Sequence, residues 1–244
     1  MNVMNYIKEK VSQETLHMGL IDPDEQKPSK AGEIAALLEE SDSDAVMVGG
    51  STGIEKEKLD KTVKKIRDST DLPIILFPCG ASMISPYADA IYFMSMLNSR
   101  DMTKVIGEQV IGAPIIKELG IEPLPMGYLI IEPGMTVGDV GKADLLPRNN
   151  PSITVSYSLA AQYLGMELIY LEAGSGAPEP VPKNIIESVK ENIDVPLIVG
   201  GGIRSPEKAA DIAKAGADII VTGTVIEESK DLSDRLKGII SAIK

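Results

Sequence analysis

Hydrophobic positions in this chain fall into short apolar, β-branched runs, each followed by a longer stretch of mixed polar and apolar residues. The runs are nearly continuous, which is typical of strands buried on both faces of a parallel sheet. Eight runs predict strands, at 15–21, 45–50, 73–78, 90–97, 126–133, 168–174, 196–201 and 218–223. Helical spacing predicts helices at 30–41, 55–69, 103–119, 152–164, 183–192, 206–215 and 232–243. This alternation predicts an α/β fold, a TIM (β/α)8 barrel that occupies residues 1–244 as a single domain.

The segment between the third and fourth predicted strands breaks the pattern. Residues 78–89, PCGASMISPYAD, include two prolines and a glycine and are too few for an ordinary crossover helix. We therefore predict a modified barrel in which the third helix is missing or replaced by an irregular segment. Such a gap would leave an apolar groove on the barrel flank, near Met83, Ile84, Tyr87 and Tyr92. The alternative is a loop that packs against a neighbouring subunit.

Composition and charge narrow the class of protein. The chain has 244 residues, with Lys+Arg 24 against Asp+Glu 36, and a formal net charge of −12. An acidic surface repels phosphates, so we expect no nucleic-acid partner. The single cysteine, Cys79, excludes an intrachain disulfide. Neither a membrane span nor a secretion signal is apparent, so we expect a cytoplasmic protein with at most transient membrane contact.

The carboxyl ends of the predicted strands are the place to look for chemistry, because active sites of such barrels form there. VGGGIRSPEKA (199–209) and VTGT (221–224) place glycines and helix starts after strands seven and eight. Unobstructed backbone N–H groups and helix dipoles bind phosphate, so this pair predicts a phosphate site. The alternative is that these glycines only permit tight turns.

Carboxylates at two other strand ends are candidates for metal binding and catalysis. LIDPD (20–24) ends the first strand, and its oxygens suit Mg²⁺ together with hydroxyls of GGSTG (49–53). Asp-Pro sequences also simply terminate strands. Glu172 in YLEAGSG (170–176) lies at the mouth of strand six and is a candidate general base. The alternative for Glu172 is a hydrogen-bonding or ion-pairing role at the barrel rim.

Together these motifs resemble geranylgeranylglyceryl phosphate synthases, archaeal prenyltransferases, over almost the whole chain. The remaining segments that carry the resemblance are VGGSTG (48–53), ISPYADAIYFMSMLNSR (84–100) and YLIIEPGMTVGDVG (128–141). The resemblance is closer to the archaeal-type group than to the bacterial heptaprenyl relatives. It implies a barrel without the usual third helix. It also implies an Mg²⁺-dependent ether bond between sn-glycerol 1-phosphate, through its 3-hydroxyl, and geranylgeranyl diphosphate, with diphosphate released.

The resemblance also assigns roles to residues of this chain. Asp22 and Ser51 match metal-binding positions, and Glu172 lies within the matched glycerol phosphate motif. Our own hypothesis is that Glu172 is the catalytic base, and we place the prenyl chain near Tyr87 and Tyr92. The positions that match the glycerol phosphate site are Tyr170, Leu171, Glu172, Ala173, Gly174, Ser175, Gly176, Gly201, Gly202, Gly223 and Thr224. The chain departs from the family pattern where Glu25 and Gln26, not a lysine, follow Asp-Pro-Asp.

Two other functional interpretations of the same residues stay open. A sugar-phosphate isomerase shares the glycine-lined phosphate site and would use Glu172 as a base on carbon. A non-catalytic barrel would serve as a binding or assembly subunit, although carboxylates at several strand ends argue against it. We also expect a homo-oligomer from the apolar, Met-rich helix faces.

Overall fold

A closed barrel of eight parallel strands forms the centre of the computed structural model. The structure describes residues 2–50, 54–228 and 231–244, excluding the side chains of 227 and 228. Each strand pairs in parallel with its neighbour in the chain, and the last pairs with the first. The strands are β1 Leu16–Ile21, β2 Ala45–Gly49, β3 Ile74–Phe77, β4 Ala90–Met96, β5 Glu122–Ile130, β6 Leu168–Glu172, β7 Leu197–Gly200 and β8 Ile219–Thr222. This confirms the predicted barrel.

Helices surround the barrel in the order predicted from hydrophobic spacing. They are α1 Val3–Val11, α2 Pro28–Glu40, α3 Lys56–Arg67, α4 Glu108–Leu119, α5 Met135–Val140, α6 Pro151–Tyr163, α7 Lys183–Lys190, α8 Pro206–Lys214, α9 Thr224–Glu228 and α10 Leu232–Ile243. A π-helical turn, Thr103–Gly107, leads into α4. Three of these helices, α1, α5 and α9, were not predicted. No helix in the described ranges combines the length and apolarity needed to cross a bilayer.

The side chains of each strand alternate between the barrel interior and the helix layer. Met18, Met47, Tyr92 and Met126 belong to the interior cluster and are almost fully buried. The intervening residues pack outward against the helices in two further apolar clusters. The lone histidine, His17, is on the outward side, where its ring nitrogens contact the hydroxyls of Ser43 (2.7 Å) and Thr222 (2.9 Å).

The first helix closes the amino-terminal end of the barrel. Val3, Met4 and Ile7 of α1 are buried in the interior cluster. The backbone N–H groups of Val3 and Met4 donate to the two carboxylate oxygens of Glu122, at 2.6 and 3.0 Å. Because Glu122 begins β5, one carboxylate both satisfies the exposed amides of the helix start and fixes α1 to the barrel. The open end of the barrel is therefore the carboxyl end.

The connection between β3 and β4 contains only one turn of 3₁₀ helix, Ala81–Met83. The predicted absence of the third helix is thus confirmed. The chain returns to the barrel at Asp89, whose carboxylate accepts a hydrogen bond from the Ile74 N–H at 2.8 Å and pairs with Arg67. The next helical segment, Thr103 to Leu119, lies on the same flank and packs against the 3₁₀ turn.

Strand β5 begins four residues earlier than predicted. Pro123 and Pro125 lie within it, and prolines cannot donate to the strand ladder. The register explains why they are tolerated: β6 pairs with β5 only from Met126 onward, so the residues before it pair with β4 alone. The prolines occupy the part of β5 that has one partner strand.

Candidate active site

Glu172 is the last residue of β6, at the carboxyl end of the barrel. Its side chain is only 6% exposed, and its Oε1 accepts a hydrogen bond from the Gly174 N–H at 2.6 Å. Gly174 has a φ of 100°, a left-handed conformation that directs this N–H back toward the carboxylate. The chain after β6 therefore turns around the Glu172 side chain.

The surroundings of Glu172 shift its proton affinity toward neutral pH. Burial raises the pKa of Glu172 to about 7, although the Gly174 N–H and the hydroxyls of Tyr170 and Tyr128 lower it in part. Burial also raises the pKa of both tyrosines well above its usual value, and the nearby Glu172 charge adds to this effect. The tyrosines therefore stay protonated as donors. A carboxylate with a pKa near 7 is suited to accept a proton in catalysis.

An aromatic cluster fills the barrel directly below this carboxylate. Phe77 is stacked on Tyr170 with ring centroids 5.6 Å apart, and Tyr128 meets both rings edge-on, at 5.5 and 5.2 Å. Tyr92 meets Phe77 edge-on at 5.9 Å. Such pairs add stability beyond the burial of their area. They also fix the positions of the tyrosine hydroxyls that face Glu172.

Glycines at the end of β7 and directly after it make room for Tyr170 and Glu172. A Cβ at Gly200 would stand 2.1 Å from the Tyr170 hydroxyl, and a Cβ at Gly201 would stand 2.4 Å from Oε1 of Glu172. Gly201 and Gly202 have φ values of 83° and 72°. In the described part of the chain, the N–H groups of Gly201, Gly202 and Gly223 donate to no protein acceptor. These amides can therefore bind an anion.

The loops after β6, β7 and β8 are joined into one surface, the glycine cradle, formed by 174–176, 201–202 and 223–224. Thr224 Oγ1 accepts a hydrogen bond from the Gly176 N–H at 3.2 Å and lies 3.4 Å from the Ser175 hydroxyl. Arg204 donates to the Ala177 carbonyl at 3.0 Å, which ties the loop after β7 to the loop after β6. The cradle contains most of the residues predicted to bind glycerol phosphate.

The side chains of two residues in the set predicted to bind glycerol phosphate point away from the barrel interior. The side chains of Leu171 and Ala173 are fully buried in the outer apolar cluster, between the strands and the helices. Strand alternation explains this placement, since Tyr170 and Glu172 point inward. Leu171 and Ala173 therefore hold the strand end in position and offer only backbone groups to the barrel mouth.

Asp22, the predicted metal ligand, follows β1 directly and is half-buried at the mouth. Its Oδ1 accepts a hydrogen bond from the Asp24 N–H at 2.8 Å, and a Cβ at Gly50 would stand 2.2 Å from Oδ2. Burial raises the pKa of Asp22, and the negative charges of Asp24 and Glu25 raise it further. The second predicted ligand, Ser51, lies outside the described residues.

The donor set at Asp22 suits a cation that takes most of its ligands from the substrate. The described residues include no cluster of three or more His, Cys, Asp or Glu that could hold a metal ion. Mg²⁺ is commonly bound through one or two carboxylates together with substrate phosphates and waters. The chemistry of the Asp22 site therefore fits Mg²⁺ in the presence of a diphosphate.

A cavity joins this polar mouth to the flank where the third helix is missing. It encloses about 1150 Å³, including the part open to solvent. Its polar end is lined by Asp22, Gly50, Glu172 and Ser175. Its other end runs between the 3₁₀ segment, β4 and α4, and is lined by Ala81, Ile84, Ile91, Phe93, Gly112 and Ile116. We call this apolar end the flank groove.

The two tyrosines predicted to line a prenyl groove lie in different places. Tyr92 borders the cavity, although it points into the barrel and is 1% exposed. Tyr87 is not among the lining residues and lies on the outer surface, where the Lys64 ammonium is 4.1 Å from its ring centroid. The groove residues Ile91 and Phe93 instead come from the outward-facing positions of β4.

Several residues of the cavity were not identified from sequence. Tyr128 is the third residue from the end of β5, and Lys104 and Glu108 belong to the predicted helix after β4. Helix α5 contributes Val137 and Val140 from the long loop after β5. Nothing in the sequence of that loop alone indicates which side chains face the cavity.

Comparison with known proteins agrees with this architecture. The model of the PcrB family matches residues 4–243. The chain belongs to the PcrB family. Its relatives include geranylgeranylglyceryl phosphate synthases from Pyrococcus horikoshii, 56% identical over 96% of this chain and 92% of the relative, and from Thermococcus kodakarensis, 59% identical over 93% and 90%. The family resemblance read from the sequence motifs is thereby confirmed.

Solved structures of this PcrB family member's relatives have the same fold. The (S)-3-O-geranylgeranylglyceryl phosphate synthase of Thermoplasma acidophilum, in complex with its substrate sn-glycerol-1-phosphate, matches with a TM-score of 0.98 at 48% identity, over 100% of this chain and 99% of that chain. A thiamine phosphate pyrophosphorylase from Pyrococcus furiosus, 12% identical over 99% and 98% of the two chains with a TM-score of 0.59, shows the shared barrel alone.

Proposed function

We propose that this protein transfers a geranylgeranyl group from its diphosphate to the 3-hydroxyl of sn-glycerol 1-phosphate, the first step of archaeal ether-lipid synthesis. The observation that carries this proposal is the single cavity in which a glycine cradle, a buried carboxylate and an apolar groove meet. A small phosphorylated alcohol and a long apolar chain can occupy its two ends. Relatives that are more than half identical over nearly the whole chain carry the name of this activity.

The glycine cradle would bind the phosphate of the glycerol substrate. The N–H groups of Gly201, Gly202 and Gly223 donate to no protein acceptor in the described part of the chain, and they belong to loops joined through Thr224. Backbone N–H groups bind phosphate oxygens without the mobility of long cationic side chains. This local geometry allows an acidic protein to bind an anion, because charges farther than about 8–10 Å are screened by salt.

Glu172 would act as the general base on the glycerol hydroxyl. It adjoins the cradle through Gly201, and its pKa of about 7 leaves a large ionised fraction at neutral pH. As the hydroxyl oxygen forms its bond to C1 of the prenyl group, Glu172 accepts the hydroxyl proton. The bond between C1 and the diphosphate oxygen breaks, and its electron pair leaves with the diphosphate.

Asp22 would hold Mg²⁺ at the opposite side of the mouth, with Ser51 as a further ligand matched by the family resemblance. When bound, Mg²⁺ supplies charge neutralisation that makes diphosphate a better leaving group. The chain's own contribution is a half-buried carboxylate whose pKa is raised first by burial and then by the negative potential of Asp24 and Glu25. That negative potential favours a cation at this position.

The flank groove would bind the prenyl chain. Ile84, Ile91, Phe93 and Ile116 line it, and its start adjoins the mouth, where the reacting C1 must lie. Each buried CH₂ contributes roughly 0.8 kcal/mol, so a long isoprenoid gains substantial affinity from an apolar channel. A homo-oligomeric state and a cytoplasmic location stay predictions of the sequence.

A radiolabel assay tests the proposed reaction. Purified protein is incubated with labelled sn-glycerol 1-phosphate, Mg²⁺ and either geranyl, farnesyl or geranylgeranyl diphosphate. We expect label in an organic-soluble ether with geranylgeranyl diphosphate, and none when sn-glycerol 3-phosphate is supplied or Mg²⁺ is chelated. An absence of organic-soluble product under all conditions would contradict the proposal. Interconversion of sugar phosphates by the same preparation would favour the isomerase alternative.

A further inference from the structure

We propose that Lys104 binds the diphosphate of the prenyl substrate, at the point where the polar mouth passes into the flank groove. The identity of the ligand rests on the proposed function, whereas the site is argued from the geometry. Lys104 is in the π-helical turn before α4 and lines the cavity. Its Nζ donates a hydrogen bond to the Cys79 carbonyl at 3.1 Å.

The Cys79 carbonyl places the ammonium at the carboxyl end of β3. Cys79 is two residues beyond the end of that strand and itself lines the cavity. The neighbouring strand end is so close that a Cβ at Gly49 would stand 1.8 Å from the Phe77 carbonyl oxygen. Gly50 comes next and packs against the Asp22 carboxylate. Asp22 and Lys104 therefore flank one continuous stretch of rim, formed by the ends of β1, β2 and β3.

The charge of Lys104 is not taken up by an ion pair within the described ranges, although the Glu108 carboxylate also lines the cavity. Its ammonium forms no ion pair there within 4.0 Å, and its hydrogen bond goes to a neutral carbonyl. An ammonium has three donors, so two are available to a ligand. Among the described residues that line the cavity, Lys104 is the one lysine and no arginine is present. An anion that enters this cavity meets this side chain as its cationic partner.

The backbone around Lys104 is held in place by side-chain hydrogen bonds. The Ser95 hydroxyl donates to the Val105 carbonyl, and the Gln109 amide donates to the carbonyls of Met94 and Lys104. Across the groove, Glu108 Oε2 accepts a hydrogen bond from the Ala81 N–H at 2.7 Å. π-Helical turns of this kind often occur at functional sites. The ammonium is thus positioned before the ligand arrives.

A purely structural role is the competing explanation, since Lys104 and Glu108 together attach the segment after β3 to the next helix. The two roles make different predictions for neighbouring substitutions. If Lys104 only attaches this segment, then Glu108→Gln, which weakens the contact to Ala81, should resemble Lys104→Gln. If Lys104 binds the diphosphate, loss of its positive charge should matter far more than the change at Glu108.

Binding of inorganic diphosphate with Mg²⁺, measured by titration calorimetry, tests the inference without turnover. The variants are Lys104→Gln, which can still donate a hydrogen bond, Lys104→Arg, which keeps the charge, and Glu108→Gln. Lys117→Gln is the matched control, because Lys117 is exposed on α4 and does not line the cavity. We expect Lys104→Gln to weaken diphosphate binding about 10-fold or more, the scale of a lost charged hydrogen bond. The Lys104→Arg protein should retain most of the wild-type affinity for diphosphate.

Steady-state kinetics adds a second readout. Lys104→Gln should raise KM for geranylgeranyl diphosphate by a similar factor while KM for sn-glycerol 1-phosphate changes less than about 3-fold. Equal diphosphate affinity in the Lys104→Gln and Lys117→Gln proteins would overturn the inference. So would a Glu108→Gln protein as impaired as Lys104→Gln. Diphosphate binding that depends on Lys104 in an enzyme without ether-forming activity would support this site and contradict the proposed function.

Discussion

The Glu172 carboxylate lies against the backbone of Gly201, so closely that a Cβ at position 201 would stand 2.4 Å from Oε1. This contact joins the end of β6 to the end of β7 and places the proposed base beside the N–H groups of the glycine cradle. A substrate whose phosphate binds the cradle therefore carries its other functional groups past Glu172. Because Glu172 lies next to the glycine cradle, a substrate that binds there through its phosphate is also placed for proton transfer to Glu172.

Replacing Glu172 by glutamine should reduce turnover by about 10²-fold or more, since the amide keeps the shape of the side chain but cannot accept the proton. The KM for sn-glycerol 1-phosphate should change much less, because the cradle amides remain. Glu187→Gln, on an exposed position of α7, is the control for loss of a carboxylate elsewhere. Near wild-type turnover in the Glu172→Gln protein would show that another group accepts the proton.

The pH dependence of kcat/KM should report the ionisation of Glu172. Burial raises its pKa to about 7, and the base is active only when ionised. Below this value kcat/KM should fall about tenfold per pH unit, and above it the profile should level off. The substrate phosphate also ionises near pH 6, so the residual activity of Glu172→Gln serves as the control. If the fall in kcat/KM near pH 7 persists in the Glu172→Gln protein, the group that titrates there is the substrate phosphate and not Glu172.

Glu172 should also make the folded protein less stable at neutral pH than at acidic pH. Its pKa is 4.5 ordinarily and about 7 when folded, so the folded state binds the proton more tightly. Stability is therefore lost as pH rises from about 4.5 to 7. Relative to wild type, Glu172→Gln should gain about 2 to 3 kcal/mol in unfolding free energy between pH 5 and pH 8. Denaturant unfolding at both pH values measures this, with Glu187→Gln expected to show no such gain.

The barrel itself could be predicted from sequence because its signals are local. Each strand is a short apolar run buried on both faces, and the missing helix follows from the few residues between β3 and β4. Helix α1 was missed because its packing depends on the barrel end that it closes and on Glu122, far along the chain. The predicted start of β5 was four residues too late. The prolines at its start are tolerated only because of the strand register, which the sequence does not reveal.

The same distinction between local signals and long-range packing applies to the residues of the candidate site. Residues at strand ends, such as Asp22 and Glu172, could be located because barrel topology brings every carboxyl end to one mouth. Lys104 and Tyr128 could not, since Lys104 reaches the mouth from a helical segment and Tyr128 lies within β5, two residues before its end. Tyr87 was expected in the groove, but it is on the outer surface beside Lys64 because the segment between β3 and β4 has no periodic pattern from which to infer direction.

Alanine substitutions at two glycines should separate backbone conformation from steric contact. Gly176 and Gly201 have similar φ values, 77° and 83°, but a Cβ at Gly176 would meet nothing within 4 Å. Gly176→Ala should cost about 1 kcal/mol of stability for the left-handed conformation alone. Gly201→Ala should cost more and lose most turnover, because it displaces the Glu172 carboxylate. Equal unfolding free energies and equal activities in the two variants would contradict this account of Gly201.

Filling the flank groove should impair use of the long prenyl substrate. Gly112 of α4 is buried and lines the groove, and a Cβ there would stand 3.3 Å from Cδ1 of Ile84. Ala113 is the adjacent, exposed position of the same helix. Gly112→Leu should raise KM for geranylgeranyl diphosphate about 10-fold or more, because several CH₂ groups lose their apolar surroundings at roughly 0.8 kcal/mol each. The KM for geranyl diphosphate should be affected less, and Ala113→Leu should behave as wild type.

Thermal unfolding of both variants checks that the fold persists, and Gly112→Ala provides a milder change if it does not. If Gly112→Leu and Ala113→Leu share the same KM for geranylgeranyl diphosphate, the chain must bind elsewhere.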